Sequence, residues 1–183
     1  MNIVPTALEG VMIIEPNVFT DERGTFVKPY HKETFEKAGL SPHFEESVYS
    51  ISHKDVIRGM HFQTPPQDHA KLVYVPHGAI LDVILDIRKG SPTYGQFESV
   101  ELSDENYRMV YIPKGFAHGF ISLKDNSCTT YLQSTMRSAE HEAGIHINSF
   151  GMEWGVENPI LSKRDKEFPA LETFDTPFIY KSA

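Results

Sequence analysis

An all-β, antiparallel domain is the fold class that this sequence predicts, and three observations predict it. Between Gly10 and Thr135, short apolar or alternating segments are punctuated by Gly, Pro, Asn and Asp. These segments recur at roughly the eight-to-twelve-residue spacing of sandwiches and barrels. Only two stretches have a helical pattern. We therefore expect a small closed sheet with a few short peripheral helices, and its mouth is the usual place for a ligand.

Nine segments are predicted as strands. The segment at 79–87 alternates so that one face is wholly apolar while the other carries Asp82 and Asp86. In chain order the nine are GVMIIEP, GTFVKPYH, FEESVYSIS, AKLVYVP, AILDVILDI, FESVELS, RMVYIP, AHGFISL and CTTYLQST.

One helical stretch lies between the second and third predicted strands, and the other follows the run of strands. HKETFEKAG ends at Gly39, which is a plausible C-cap, and SKRDKEFPAL begins at Ser162, which can cap its start. The segment after Glu140 is richer in loops, so we expect it to wrap the barrel.

Length and charge narrow the possible functions. The 183 residues suffice for one domain, predicted to span 1–183, and the formal charge of −8 argues against a nucleic-acid binder. Cys128 is the only cysteine, so no intramolecular disulfide is possible and a cytoplasmic location is the default. No signal pattern and no apolar run of membrane-spanning length is present, which indicates a protein that does not enter a membrane.

Six motifs with ionisable residues stand between the predicted strands. They are DERGTF (21–26), IRGMHFQ (57–63), HAKLV (69–73), DIRKGSPTYG (86–95), IPKGFAHGF (112–120) and ILSKRD (160–165). In this order the motifs resemble the dTDP-4-dehydrorhamnose 3,5-epimerase family along nearly the whole chain. The resemblance implies a double-stranded β-helix (cupin-type jelly roll), a homodimer, and an isomerase that acts on a nucleotide-linked 4-keto-6-deoxyhexose.

The chemistry of such an isomerase can be stated from first principles. A ketone at C4 acidifies the hydrogens on C3 and C5, so the enzyme needs a base, a group that stabilises the enolate, and a proton donor on the opposite face. No organic cofactor and no metal is required. His61 is the best base, because imidazole titrates near neutrality. The resemblance supplies Asp165 as its carboxylate partner and Lys71 as the ammonium beside O4.

The resemblance also suggests the substrate contacts. Arg58 and Arg23 are the expected pyrophosphate contacts, because a guanidinium binds phosphate oxygens in a bidentate fashion. In the family the segment that contains Arg23 reaches across the dimer, with an aromatic against the base, here Phe26 or Phe19. His118 is expected near O4 of the sugar, and Gln63 is a further expected contact.

Three departures from the family pattern affect these expectations. An ungapped alignment from Tyr131 to Gly144 puts Arg137 where the family has its proton-donating tyrosine, and matches Tyr131 to a structural tyrosine. A guanidinium cannot donate a proton, so we expect inversion at one carbon, C5 before C3. Lys28 replaces a family glutamate, which favours a cytidine over a thymidine nucleotide because a lysine can donate to the unprotonated N3 of cytosine. Glu46 and Val48 replace a glutamine and an asparagine of the family, a change that affects recognition of the nucleotide.

Two other classes of function stay open from sequence alone. A metal-dependent cupin enzyme could use His61, His69 and His118 as ligands, although RGMHFQ lacks a closely spaced second histidine. A non-catalytic sugar-binding module is the other alternative, and the retention of His61 with Asp165 speaks against it.

Overall fold

Two antiparallel β-sheets form the body of the molecule. The computed structural model describes residues 1–181, and in that range it contains thirteen strands, two short helices and one 3₁₀ turn. The strands are β1 (Asn2–Pro5), β2 (Met12–Glu15), β3 (Val18–Asp21), β4 (Gly24–Val27), β5 (Glu46–Ser52), β6 (Ile57–Gln63), β7 (Lys71–His77), β8 (Ala79–Asp86), β9 (Phe97–Ser103), β10 (Met109–Ile112), β11 (Phe116–Ser122), β12 (Ser127–Gln133) and β13 (Glu142–Gly144). The helices are α1 (Lys32–Lys37) and α2 (Lys163–Lys166), and the 3₁₀ turn is Leu171–Thr173.

The strand order of the two sheets is that of a jelly roll. One sheet has six strands in the order β1-β2-β10-β7-β12-β5, and the other has five in the order β13-β6-β11-β8-β9. Consecutive strands such as β7 and β8 lie in different sheets, so the chain crosses repeatedly from one layer to the other. The predicted all-β jelly roll is therefore confirmed.

Three apolar clusters hold the layers together. The inner cluster packs β7 against β8, β9 and β11 through residues such as Val73, Ile80 and Phe120. A second cluster covers the outer face of the six-stranded sheet and includes Phe35 of α1. A third covers the outer face of the five-stranded sheet with Trp154 and other residues of the C-terminal segment. The prediction that the chain after Glu140 wraps the barrel is confirmed.

The alternation within the predicted segments is matched by the structure. Each of the nine predicted segments contains a strand, and Val83 and Leu85 of β8 pack outward while Ile80 and Ile84 pack inward. Both helices lie where the sequence predicts them, and the Ser162 hydroxyl caps α2 by accepting a hydrogen bond from the Asp165 backbone N–H.

Four strands were not predicted: β1, β3, β6 and β13. The expectation that IRGMHFQ lies between strands is wrong, because it forms β6, paired with β11 and β13. The motif reads poorly as a strand because Arg58, Gly59 and His61 interrupt its apolar residues.

The hairpin formed by β3 and β4 is a separate two-stranded sheet. Phe19 and Phe26 are cross-strand partners in it, and each is 61% exposed. Two large aromatic side chains are thus exposed on the surface of the single chain. No helix in residues 1–181 is long and apolar enough to cross a bilayer.

Candidate active site

A cavity of about 390 Å³ opens between the two sheets. The five-stranded sheet contributes Arg58, His61, Gln63 and His118, and the six-stranded sheet contributes Lys71, Tyr131 and Gln133. Its mouth is lined by Arg137, Glu142 and Arg164. Polar and ionisable side chains therefore converge on one concave space from both layers, as expected for a ligand site.

His61 and Asp165 form a hydrogen-bonded pair at the wall of this cavity. The Nε2 atom of His61 lies 2.9 Å from Oδ1 of Asp165, whose side chain is only 3% exposed. Burial by itself would raise the pKa of Asp165, but the hydrogen bond from His61 and its charge hold the pKa below its ordinary value. Because an ionised carboxylate only accepts hydrogen bonds, Nε2 carries the proton and Nδ1 is left as the basic nitrogen.

The local fold fixes the position of Asp165. Its backbone N–H donates to the Ser162 hydroxyl at the start of α2, and its Oδ2 accepts from the Gly59 N–H at 3.4 Å. Since His61 lies two residues after Gly59, both members of the pair are held to the same stretch of β6. The orientation of the imidazole is thus set by the backbone around it.

Lys71 reaches into the cavity from β7 on the other sheet. Its Nζ lies 3.4 Å from the backbone carbonyl of His61, which accepts from it. Burial lowers the pKa of Lys71 from 10.5 to about 8, although Asp82 and Glu142 nearby favour the charged form. At neutral pH the ammonium is therefore retained in a partly dry cavity, where a positive charge interacts strongly with a developing anion.

His118 forms a second histidine–aspartate pair. Its Nε2 donates to Oδ1 of Asp82 at 2.7 Å, and both residues are buried. Burial lowers the pKa of His118, although the Asp82 carboxylate favours the charged form. His118 is the cross-strand neighbour of His61, so it lines the same wall as the base. Asp82 was not among the predicted site residues, although its place on a mostly apolar strand was the signal that could have identified it.

Tyr131 also faces the cavity, so the expectation that the site lacks a phenol is wrong. It lies on β12, and its ring centroid is 6.0 Å from that of His118. Burial raises the pKa of Tyr131, so its phenol stays protonated. The six-stranded sheet therefore presents a proton donor across the cavity from His61.

Arg137 does not take the place of that donor. It follows the end of β12 and forms a bidentate ion pair with Glu142, with its Nε 2.7 Å from Oε1 and its Nη2 3.1 Å from Oε2. Glu46 accepts from the Arg137 backbone N–H at 2.8 Å and does not line the cavity. The ungapped count failed because it placed a residue of the mouth loop where a strand residue, Tyr131, supplies the phenol.

Two of the predicted substrate contacts differ in their freedom to bind. Arg58 lines the cavity with its Nε 3.0 Å from the Ser52 hydroxyl. The Gln63 carboxamide is already engaged by the mouth loop: it donates to the Gln67 carbonyl at 2.7 Å and accepts from the Ser138 N–H at 2.5 Å. Gln63 also lines the cavity, so its role as a substrate contact stays a prediction beside its role in ordering the loop.

Besides Glu46, four further predicted contacts lie outside the cavity of their own chain. Arg23 sits in the β3–β4 turn, is 83% exposed and pairs with Asp21. Phe19, Phe26 and Lys28 belong to the same hairpin or follow it, and none of them lines the cavity. Within one chain, then, the hairpin and the cavity are separate.

The three histidines considered as metal ligands are not arranged as a ligand set. His61 and His118 each have one nitrogen bound to their own aspartate, while His69 Nδ1 lies 3.1 Å from the Gln63 amide nitrogen. Burial lowers the pKa of His69 to about 3. Among residues 1–181, no group of three His, Cys, Asp or Glu side chains is placed to hold a metal ion.

Comparison with known proteins gives concordant results. The profile of the dTDP-4-dehydrorhamnose 3,5-epimerase family matches residues 5–173. The dTDP-4-dehydrorhamnose 3,5-epimerase of Shigella flexneri is 43% identical, and the match covers 90% of this chain and 93% of that protein.

Solved structures agree with the sequence comparison. An epimerase from Legionella pneumophila in complex with dTDP-4-keto-L-rhamnose has a TM-score of 0.94 at 37% identity, covering 99% of both chains. A 3′-monoepimerase from Streptomyces bikiniensis, with one histidine changed to asparagine and one tyrosine to phenylalanine, has a TM-score of 0.88 at 31% identity, covering 93% of this chain and 87% of that one.

Fold and site together define a class of protein. A jelly roll whose cavity holds an oriented imidazole base, a buried ammonium and a protonated phenol is equipped to move protons beside a carbonyl group, which is the work of an isomerase. The particular family follows from the match along most of the chain: this protein belongs to the dTDP-4-dehydrorhamnose 3,5-epimerase family. The resemblance found in the motifs is confirmed.

Proposed function

We propose that this enzyme inverts the carbons next to the ketone of a dTDP-linked 4-keto-6-deoxyhexose. One observation carries the proposal: a base and an acid face a single cavity from opposite sheets, with an ammonium beside them. Inversion at a carbon requires that the proton leaves one face and returns on the other. Two opposed sheets provide that separation.

The first step is removal of the proton next to the ketone. Nδ1 of His61 accepts the proton, and the buried Asp165 carboxylate stabilises the imidazolium that results. The electron pair of the broken C–H bond moves towards the C4 oxygen. Lys71, charged and desolvated, stabilises the enolate oxygen because its ammonium needs little reorganisation at the moment of reaction.

The second step is reprotonation from the opposite face by Tyr131. The phenol is buried in the six-stranded sheet and keeps its proton until the enolate forms. The Streptomyces bikiniensis structure supports this assignment, because the histidine and the tyrosine replaced there are the same number of positions apart as His61 and Tyr131.

We propose inversion at both C3 and C5. The reason for expecting a single inverted carbon was the lack of a phenol, and Tyr131 removes that reason. The Shigella flexneri relative is a 3,5-epimerase, which supports the double reaction. Inversion at C3 alone is the alternative outcome, because the Streptomyces bikiniensis neighbour is a monoepimerase.

The nucleotide end of the substrate is proposed to lie between two copies of the chain. Arg58 at the cavity is suited to the pyrophosphate, while the exposed hairpin would bring Arg23, Phe19 and Phe26 from a second copy. The edge strand β5 offers a matching apolar surface beside the cavity. Its exposed apolar side chains are Val48, Tyr49 and Ile51. A homodimer would bury both surfaces.

Light scattering tests the homodimer, because the wild type should then have twice the 20.8 kDa chain mass.

Truncation of the hairpin aromatics tests the proposed nucleotide site between two copies. We expect either Phe19→Ala or Phe26→Ala to weaken dTDP binding about tenfold in calorimetry, because a stacked base is worth roughly 1 to 3 kcal/mol. Ile179→Ala removes an equally exposed apolar side chain elsewhere and should change nothing. Full-strength binding by both hairpin variants would contradict the arrangement.

Replacement of Lys71 should lower the activity of the enzyme and raise the stability of its fold. Lys71→Met should lose about a hundredfold or more in kcat, because the enolate loses its charge partner. The folded protein should gain stability at pH 7, since the fall of the Lys71 pKa to about 8 corresponds to a cost of roughly 3 kcal/mol for the buried ammonium.

The size of this gain depends on pH in a defined way. Below pH 8 Lys71 is charged in both the folded and the unfolded chain, so the gain is fully present; between 8 and 10.5 only the unfolded chain is charged, so the gain shrinks. Denaturant titration of wild type, Lys71→Met and the exposed Lys114→Met control would measure it. A Lys71→Met enzyme that is less stable and fully active would contradict both assignments.

Turnover of synthetic substrates tests the proposed function itself. We expect the dTDP-linked 4-keto-6-deoxyglucose to be converted at least about tenfold faster than its CDP analogue, because the Shigella flexneri relative acts on dTDP-4-dehydrorhamnose and the Legionella pneumophila epimerase binds a dTDP-linked keto sugar. Faster turnover of the CDP-sugar would restore the cytidine prediction, and lack of turnover of either sugar would contradict the function.

The single free cysteine, Cys128, supports the cytoplasm as the proposed location.

A further inference from the structure

Three charged side chains form a cluster at the mouth of the cavity: Arg137, Glu142 and Arg164. One Glu142 oxygen accepts from Arg137 Nε at 2.7 Å, and the other accepts from Arg164 Nη1 at 2.8 Å and from Arg137 Nη2 at 3.1 Å. The hydrogen bonds from Arg137 keep the pKa of Glu142 below its ordinary value. A single ionised carboxylate is therefore shared by two guanidinium groups.

This mouth cluster reaches the base through Arg164. Its Nη2 lies 3.4 Å from His61 Nε2, and its Nε lies 3.6 Å from Asp165 Oδ1. Because Nε2 already donates its hydrogen to Asp165, Arg164 acts on the imidazole as a positive charge and not as a hydrogen-bond partner. A cation at this distance opposes the arrival of a second proton on the ring.

We propose that Glu142 is a positioning residue that controls how readily His61 accepts a proton, by holding Arg164 at its observed place and offsetting its charge. Arg137 acts in the opposite sense, because it takes up part of the carboxylate charge that would otherwise offset Arg164. The proposal rests on the assignment of His61 as the base. It gives Arg137 a role that is neither acid nor direct substrate contact.

Other charged and titratable groups also face His61, and each stays unchanged in the test. Lys71 donates to its backbone carbonyl and His118 is its cross-strand neighbour. The remaining groups around the same cavity are Asp165 of α2, Asp82 behind His118, Arg58 of the same strand, His69, and Tyr131 of β12. None of them contacts Glu142 or Arg137 by a hydrogen bond. Glu142 also favours the charged form of Lys71, so the titration of Lys71 is followed in the same samples.

The test is an NMR titration of His61 in the substrate-free protein, with the His61→Gln spectrum used for assignment. We expect Glu142→Gln to lower the pKa of His61 by about half a pH unit or more, because an exposed positive charge is left uncompensated. Arg137→Gln and Arg164→Gln should each raise it. Glu142→Asp, which keeps the charge, should restore a value close to that of the wild type.

The matched control is Glu140→Gln, which removes the same charge two residues away at an exposed position. It should leave the His61 titration unchanged. Equal titration curves for all the variants, or shifts of the same sign for Glu142→Gln and Arg137→Gln, would overturn the proposal. Because no substrate is present, this result is independent of whether the chain turns over a keto sugar. The acid limb of the pH profile of kcat/KM should then shift in the same direction as the pKa of His61.

Discussion

His61→Ala should reduce kcat by about a thousandfold or more, since general base catalysis contributes typically 10² to 10⁴ and no other imidazole can replace it. His118 is bound to Asp82, and burial lowers the pKa of His69 to about 3. Asp165→Asn should cost roughly a hundredfold, because the amide cannot stabilise the imidazolium. Initial rates with the dTDP-linked keto sugar, at saturating substrate, would measure both effects.

A matched control for the base is available on the surface. His77 forms a similar pair with Asp104 at 3.2 Å but is 71% exposed and lies away from the cavity. His77→Ala should retain the wild-type rate. If His61→Ala kept its fold and more than a tenth of the wild-type rate, His61 would be a structural residue and the assignment of the base would be wrong.

Tyr131→Phe should uncouple hydrogen exchange from inversion. His61 can still remove a proton and return it to the same face, so deuterium from D2O should enter the sugar with its configuration retained. Formation of inverted product should fall by about a hundredfold or more, because the opposite face has lost its donor. NMR measures both quantities in one sample, as deuterium content and as the configuration of the labelled carbon.

Tyr74→Phe is the control for this change. Tyr74 lies on β7 of the same sheet but packs outward, with the cluster that contains Phe35, so its hydroxyl does not face the cavity. Its replacement should affect neither exchange nor inversion. A Tyr131→Phe enzyme that still inverts at the wild-type rate would show that the acid is another group.

The fold was largely predictable because successive side chains of its strands alternate regularly between the two faces of a sheet. In AILDVILDI the two faces differ in polarity, and the structure buries both, one in the inner cluster and one under the C-terminal segment. Strand β6 was missed because Arg58 and His61 stand where an ordinary strand would carry apolar residues. β13 has only three residues and no pattern to detect.

The residues of the site were predictable only where they belong to a recognisable sequence motif. His61 and Asp165 are 104 positions apart, so no local pattern joins them, and the family resemblance alone paired them. Tyr131 was misassigned because an ungapped count carries no information on where β12 ends and the mouth loop begins. Glu142 was not predicted, and Arg164 was given no role although it lies in the ILSKRD motif, since a surface-like charge has no sequence signal until another chain segment is brought against it.

The opposed placement of His61 and Tyr131 is tested most directly by running the wild-type reaction in D2O and locating deuterium in the product by NMR. We expect deuterium at both C3 and C5, each in the inverted configuration, with Tyr131→Phe retaining exchange but not inversion. Deuterium that enters only with retention of configuration in the wild type, or exchange that survives in His61→Ala at the wild-type rate, would contradict a base and an acid acting from opposite sheets.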